Sequence, residues 1–195
     1  MVADVLCYSK YGTLGNREGL IYMANLSTDR LILRPIANSD LVALQEFWND
    51  PEVRHYLWAD QIMSRDTVAE IIAASRACFD ALGSGFFAIE VSKNPGVLVG
   101  FCGHRRFEDG QQMELLYGIL PAYWGEGYVT EAATEVLRHG FETCAIDHVI
   151  AATDTPNQRA VRVLQKLGMV FEERREFHGL DTVFYTLRKN DFAIA

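Results

Sequence analysis

The sequence predicts one α/β domain, in which a mixed but mostly antiparallel sheet of about six to seven strands carries helices on both faces. Residues 115–120 form an apolar strand that leads through a glycine-containing loop into a long amphipathic helix. Residues 149–152, after that helix, form a short uninterrupted apolar run, typical of a central strand buried on both faces. A strand–helix–strand crossover predicts one parallel pair beside otherwise antiparallel strands.

The first part of the chain predicts a strand and then helices. Residues 31–35 alternate as a strand, and residues 41–48 place apolar side chains at helical spacing. Asp50-Pro51 ends that helix and begins a short helical turn. An aromatic cluster at residues 55–58 predicts a loop, and residues 65–82 predict a helix between Ser64 and Gly83.

The middle of the chain predicts three antiparallel strands. They cover residues 86–91, 97–107 and 112–120, and turn residues separate the first two. Gly100 and Gly103 predict a bulge or a close approach of two backbones in the second strand. In the third strand Glu114 alternates with its neighbours, on the face opposite to Leu115.

The long helix and the end of the chain complete the pattern. The helix buries positions that recur at i, i+3, i+4 and i+7, namely Val129, Ala132, Ala133, Val136, Leu137, Gly140 and Phe141. Thr155-Pro156 predicts the start of another helix, with proline in its first turn. Residues 169–177 and 182–187 predict a closing hairpin. Residues 1–27 show no periodicity, so we expect an N-terminal extension and a domain spanning residues 28–195.

The loop before the long helix has the chemistry of an anion site. Gly125 and Gly127 precede the helix N-terminus, where free backbone N–H groups and the positive end of the helix dipole favour a phosphate. The alternative is a tight turn that binds nothing. A dinucleotide site is disfavoured, because Thr130 replaces the third glycine of the G-x-G-x-x-G pattern.

Two motifs resemble the GCN5-related N-acetyltransferases (GNAT), in particular the branch that acetylates the N-termini of ribosomal proteins. The first is Trp124-Gly125-Glu126-Gly127-Tyr128-Val129-Thr130-Glu131-Ala132, and the second runs from Asn157 to Met169 as N-Q-R-A-V-R-V-L-Q-K-L-G-M. The resemblance covers most of the chain from about Thr28. Met23 is therefore an alternative start of the protein. The chain departs from the family pattern at Ala122, where Gln or Arg is usual, and at Leu164, where relatives often carry a tyrosine acid.

The resemblance implies an acetyltransferase that uses acetyl-CoA and needs no metal. It places the pyrophosphate on the glycine loop and the thioester and pantetheine near the end of the preceding strand. The implied cofactor-binding residues are Ile119, Leu120, Gly125, Glu126, Gly127, Tyr128, Val129, Thr130 and Asn157. Tyr56 and Trp58 lie in the loop that lines the acceptor pocket in this family, although both could simply cover the core edge.

Two residues are candidates for catalysis. The resemblance gives Asn157 a hydrogen bond to the pantetheine arm or to a catalytic water, and the alternative is a helix cap. Glu114 occupies the position of a strand acid in the family, where a carboxylate could accept the amine proton directly or through water. The alternative for Glu114 is an exposed strand residue without a catalytic role.

The bulk properties limit the partners. The net charge of −8 disfavours general nucleic-acid binding, which needs clustered Lys and Arg. The cysteines and histidines show no metal-ligand spacing, and no apolar run reaches membrane-spanning length, so we expect a cytoplasmic monomer or homodimer. The expected partner is an amine acceptor, either a protein N-terminus or a small amine, amino acid or antibiotic. A CoA-binding module without catalysis and a nucleotide-binding protein are the rival classes.

Overall fold

A computed structural model of the chain describes residues 25–108, 110 and 112–193. Most of the expected extension, including Met23, lies outside the described residues, so the domain boundary stays a prediction. The described residues form one sheet of eight strands in the order β1-β2-β3-β4-β5-β6-β8-β7. No helix in the described part of the chain is long and apolar enough to cross a membrane.

The elements follow one another as the patterns predict. The strands are β1 (Leu26–Ser27), β2 (Leu31–Pro35), β3 (Phe86–Val91), β4 (Leu98–Arg106), β5 (Met113–Ile119), β6 (His148–Asp154), β7 (Val170–Phe177) and β8 (Leu180–Arg188). The helices are α1 (Leu41–Asn49), α2 (Pro51–Arg54), α3 (Arg65–Leu82), α4 (Tyr128–Thr143) and α5 (Gln158–Lys166). The predicted fold class is confirmed, and the two-residue strand β1 is the eighth strand, which the sequence pattern missed.

Every strand pair is antiparallel except β5 with β6, so the predicted crossover is confirmed. Helix α4 makes that crossover and packs on one face of the sheet with the stripe that the sequence predicts. All of that stripe except Val129 is buried. The opposite face carries α1, α2 and part of α3, whose apolar residues form a second core with Phe86, Ala88 and Phe101.

Local sequence explains where the helices begin and end. The Ser64 side chain accepts a hydrogen bond from the Thr67 amide at the start of α3, and Gly83 ends that helix in the left-handed region at φ 77°. The close approach predicted at Gly100 is also present, because an added Cβ would lie 2.3 Å from the Gly118 carbonyl oxygen.

One predicted boundary is wrong. Thr155-Pro156 does not begin α5, because the helix starts at Gln158 after a turn in which the Asn157 amide donates to the Asp154 carbonyl. Asn157 is the N-cap, and its Oδ1 accepts from the Ala160 amide at 3.2 Å. A capping side chain outweighs a proline in setting this helix start.

A group of ion pairs connects β2, β3 and the turn before α1. Arg34 lies between two almost fully buried carboxylates, with Nε 2.6 Å from Glu90 and Nη1 2.7 Å from Asp40. Because a buried charge without a partner is costly, the single guanidinium stabilises both acids.

We predict that Arg34→Met lowers the free energy of unfolding by about 3 kcal/mol, since it leaves two buried carboxylates unpaired. Urea unfolding followed by circular dichroism measures the change. The control is Arg174→Met, which removes an exposed pair with Asp181 and should leave the midpoint unchanged. Equal effects of the two substitutions would contradict the assignment.

Candidate active site

The sheet opens between β5 and β6. These strands pair only at Met113 with Val149 and at Glu114 with Ile150, although β5 continues to Ile119 and β6 to Asp154. Beyond those two pairs the strands diverge. A cleft of about 330 Å³ lies there, lined by residues of β5, β6, the glycine loop and α5. The facing backbone groups there do not bond each other and can bond a ligand, apart from the Ile119 carbonyl oxygen, which accepts from the Trp124 indole N–H.

The cleft brings many of the expected site residues together. Its lining includes Tyr56, Ile119, Gly125, Gly127, Tyr128, Val129, Thr130 and Asn157. The four other residues of the expected set do not line the cleft, namely Leu120, Glu126, Trp58 and Glu114.

The glycine loop leaves space and donors for an anion. Gly125 and Gly127 lie in the left-handed region at φ 83° and φ 80°, which favours glycine at both positions. An added Cβ at Gly125 would meet nothing within 4 Å, so the space beside it is open. The amides of Gly125 and Gly127 donate to no acceptor among the described residues. The loop therefore has unused N–H donors at the N-terminus of α4.

Helix α5 contributes three cations that sequence reasoning did not select. Arg159, Arg162 and Lys166 line the cleft at intervals of three and four residues. Their spacing on one helix face was the available signal. The Arg159 guanidinium lies 4.1 Å from the centre of the Trp124 ring, and the Trp124 indole N–H donates to the Ile119 carbonyl at 3.0 Å. These contacts join α5, the loop and the end of β5.

Asn157 is positioned for both of the roles that the sequence left open. Its Oδ1 caps α5, while its half-buried side chain lines the cleft. Its Nδ2 makes no hydrogen bond to any described residue, so both of its N–H groups remain for a ligand. Leu164, where relatives often carry a tyrosine, is fully buried.

Tyr117 links β5 to α5. Its hydroxyl donates to the Ala160 carbonyl oxygen at 3.2 Å, and its ring lines the cleft. Burial raises the pKa of Tyr117, so the phenol stays protonated and keeps this hydrogen bond at neutral pH. Tyr117 thereby fixes the first turn of α5, which carries Asn157, against the strand.

Glu114 and Trp58 lie together on the opposite face of β5. Glu114 is 2% exposed, and its Oε2 lies 2.5 Å from the Arg105 Nε. The Arg105 guanidinium lies 5.5 Å from the centre of the Trp58 ring. Trp58 has φ 53°, which is strained for a bulky residue. Glu114 is thus a buried, paired carboxylate and not the exposed strand residue of the alternative reading.

Helix α2 and the turn after it also contribute to the lining of the cleft. Glu52 and the half-exposed Tyr56 both line it. The described residues contain no group of three or more histidine, cysteine or acidic side chains arranged to hold a metal ion.

Comparison with known proteins identifies one family. The family model "Acetyltransferase (GNAT) domain" matches residues 30–170. The chain is 25% identical over 182 residues to the uncharacterized N-acetyltransferase p20 of Bacillus licheniformis, covering 88% of this chain and 99% of the relative. It is 28% identical over 144 residues to the uncharacterized N-acetyltransferase YoaA of Bacillus subtilis, covering 73% of this chain and 81% of the relative.

Solved structures share the fold. An acetyltransferase from Agrobacterium tumefaciens superposes with a TM-score of 0.73 at 20% identity, covering 89% of this chain and 99% of that one. Spermidine N-acetyltransferase from Vibrio cholerae, in complex with CoA and spermine, gives 0.69 at 19% identity over 84% and 98%. RimL, a ribosomal L7/L12 α-N-protein acetyltransferase in complex with CoA, gives 0.69 at 14% identity over 83% and 95%.

We predict that Gly125→Asp weakens the affinity for acetyl-CoA, the cofactor implied by the family, by tenfold or more. The reason is that it places a carboxylate in the anion site. Isothermal titration calorimetry measures the affinity. The control is Gly96→Asp in the β3–β4 turn, which has φ 84° and open space like Gly125 but does not line the cleft. The two substitutions should cost a similar backbone strain of about 1 kcal/mol. Equal affinity of both variants would refute this placement of the anion.

Proposed function

We propose that this chain, which belongs to the GNAT acetyltransferase family, transfers the acetyl group of acetyl-CoA to a primary amine. One observation carries the proposal. The diverging ends of β5 and β6 and the glycine loop open onto the same cleft, so an elongated ligand with a phosphate at one end fits along it.

Each part of the cleft suits a part of the cofactor. The amides of residues 125–130 would hold the pyrophosphate, and the α5 cations would lie close to the remaining negative charge. The free edge of β5 near Ile119 and the Asn157 Nδ2 would hydrogen-bond the amides of the pantetheine arm. Acetyl-CoA supplies the acetyl group as a thioester.

The chain must also remove a proton from the acceptor. An amine attacks a thioester only as the neutral base, and the attack releases a proton. Glu114 is our candidate for accepting it, through water, because it is the neighbour on β5 of Leu115, which lines the cleft. Arg105 holds the Glu114 carboxylate in one orientation. Leu164 offers no acid for the leaving thiolate, so the proton released by the amine would return to sulfur through solvent.

The residues that α2 and the following turn contribute to the cleft indicate which class of acceptor it would bind. Glu52 and Tyr56 offer a carboxylate and an aromatic ring, which suit an amine that arrives as an ammonium ion. A protein N-terminal amine is the first candidate, supported by the motif resemblance and by the fold shared with RimL. A small-molecule amine is the second, supported by the fold shared with the spermidine acetyltransferase.

A transfer assay tests this function. Purified protein is incubated with acetyl-CoA and either peptides with a free N-terminus, the same peptides with a blocked N-terminus, or spermidine. Release of CoA thiol and the mass gain of the acceptor report transfer. We expect acetylation of the free N-terminal peptides. Acetylation of spermidine alone would assign the second acceptor class, and acetyl-CoA binding without transfer to any amine would indicate a non-catalytic module.

We predict that Glu114→Gln lowers kcat/KM about 100-fold at the acidic end of the pH profile and less at alkaline pH. The loss shrinks as pH rises, because the amine becomes neutral in solution and no longer needs a base. The matched control is Glu90→Gln, which changes another buried strand carboxylate paired with an arginine. Glu90 lies on β3, two strands away from β5 and the cleft, so each folded molecule of that variant should keep the wild-type rate. A wild-type pH profile for Glu114→Gln would place the base elsewhere.

We predict that Asn157→Asp lowers kcat/KM about tenfold while the midpoint of unfolding stays the same. Aspartate retains the capping oxygen for the Ala160 amide but replaces the free Nδ2 donor with an acceptor. Asn157→Ala removes both and should also cost about 1 kcal/mol of stability. If Asn157→Asp keeps full activity, the residue acts only as a helix cap.

A further inference from the structure

The Arg30 side chain connects the glycine loop to the first turn of α4. Arg30 lies between β1 and β2, and its Nη1 donates to the Glu126 carbonyl oxygen at 3.1 Å. Its Nε and Nη2 contact the same carboxylate oxygen of Glu131, Oε2, at 2.7 Å and 2.5 Å. The guanidinium also lies 4.6 Å from the centre of the Tyr128 ring. One side chain therefore contacts Glu126 in the loop and both Tyr128 and Glu131 in the first turn of α4.

Glu131 is a fixed negative charge next to the anion site. Its Oε1 accepts from the Thr28 hydroxyl at 2.5 Å and from the Arg30 amide at 3.1 Å. Although partial burial opposes ionisation, the hydrogen bonds from Thr28 and then Arg30 lower the pKa of Glu131, so it is ionised at neutral pH. Glu131 lines a shallow hollow that shares Gly127, Thr130 and Lys166 with the cleft, so its charge faces the space beside the phosphate site.

This arrangement raises an electrostatic problem that Arg30 solves. A carboxylate in the first turn of a helix is favourable for the helix dipole, but it repels an anion bound at the same terminus. The Arg30 guanidinium balances the Glu131 charge at contact distance. The first turn of α4 can then hold its acidic residue and still accept a phosphate.

The contact with Glu126 has a second consequence. The peptide bonds described here are trans, so the Glu126 carbonyl and the Gly127 N–H point in opposite directions across one peptide plane. Because Arg30 holds the carbonyl on its own side, the Gly127 amide must point away from Arg30. A flip of this peptide would replace a donor by a carbonyl oxygen at the anion site.

We propose that Arg30 is a positioning residue for the cofactor pyrophosphate: it neutralises Glu131 and fixes the Glu126–Gly127 peptide with its N–H directed to the phosphate. The inference rests on the proposed function, since it assumes that a CoA pyrophosphate binds at this loop. It adds a residue more than 90 positions away in the chain to a site that the local motif alone would define.

A double-mutant experiment tests the electrostatic part. Arg30→Ala should weaken CoA binding about tenfold or more, measured by calorimetry at low salt. In Arg30→Ala/Glu131→Gln the unbalanced carboxylate is gone, so CoA affinity should recover by several fold. A purely structural link predicts no recovery, because glutamine keeps the oxygen that accepts from Thr28 but restores none of the contacts that the Arg30 side chain made.

Two further variants complete the test. Arg30→Lys keeps the charge but cannot bond both Glu126 and Glu131 in the planar geometry of arginine, so its affinity should lie between wild type and Arg30→Ala. If Arg30→Ala does not fold, Arg30→Lys replaces it in the comparison with the wild-type affinity. Arg174→Ala removes another exposed ion-pairing arginine, bound to Asp181 on the β7–β8 hairpin and lining neither the cleft nor the hollow, and should keep wild-type affinity.

The outcomes are distinguishable. Wild-type affinity in folded Arg30→Ala or, if that variant unfolds, in Arg30→Lys would overturn the positioning role while leaving the proposed function intact. No recovery in the double variant would overturn the neutralisation. Failure of the wild-type protein to bind CoA would overturn the proposed function, and the inference with it.

Discussion

The parallel pairing of β5 with β6 lasts for only two residue pairs, and the rest of the site depends on where it stops. Strands that stay paired leave no room between them, whereas strands that diverge expose unused backbone groups on both facing edges. The divergence also separates the start of α4, which follows β5, from the start of α5, which follows β6. The cleft therefore has a helix N-terminus and a capped helix in its lining.

Charge is distributed unevenly around this cleft. The protein carries a net charge of −8, yet Arg159, Arg162 and Lys166 all line the cleft. Of the acidic residues near the site, Glu114 and Glu131 are paired with arginines, and Glu52 lines the cleft from α2. One acidic chain can therefore bind both an anionic cofactor and a cationic acceptor, since local charge decides each contact.

The sequence predicted most of the fold because its strongest signals are local. The stripe of α4, the apolar run of β6 and the glycines of the loop each depend on spacing within one element. The start of α5 was misplaced because Thr155-Pro156 and Asn157 offer competing local signals. Arg30 and Glu131 contact each other across 101 positions, and no period within one element can predict such a pair. The opening between β5 and β6 is likewise a property of two strands whose pairing only the three-dimensional structure defines.

The central claim is that acetyl-CoA lies between β5 and α5 with its phosphates on the loop before α4. Backbone amide chemical shifts of ¹⁵N-labelled protein, recorded during titration with CoA, test it at single-residue level. The account predicts that the largest shifts occur at Gly125 through Thr130, followed by the end of β5 and the first turn of α5. Shifts concentrated elsewhere, with these amides unchanged at saturation, would contradict the placement of the cofactor.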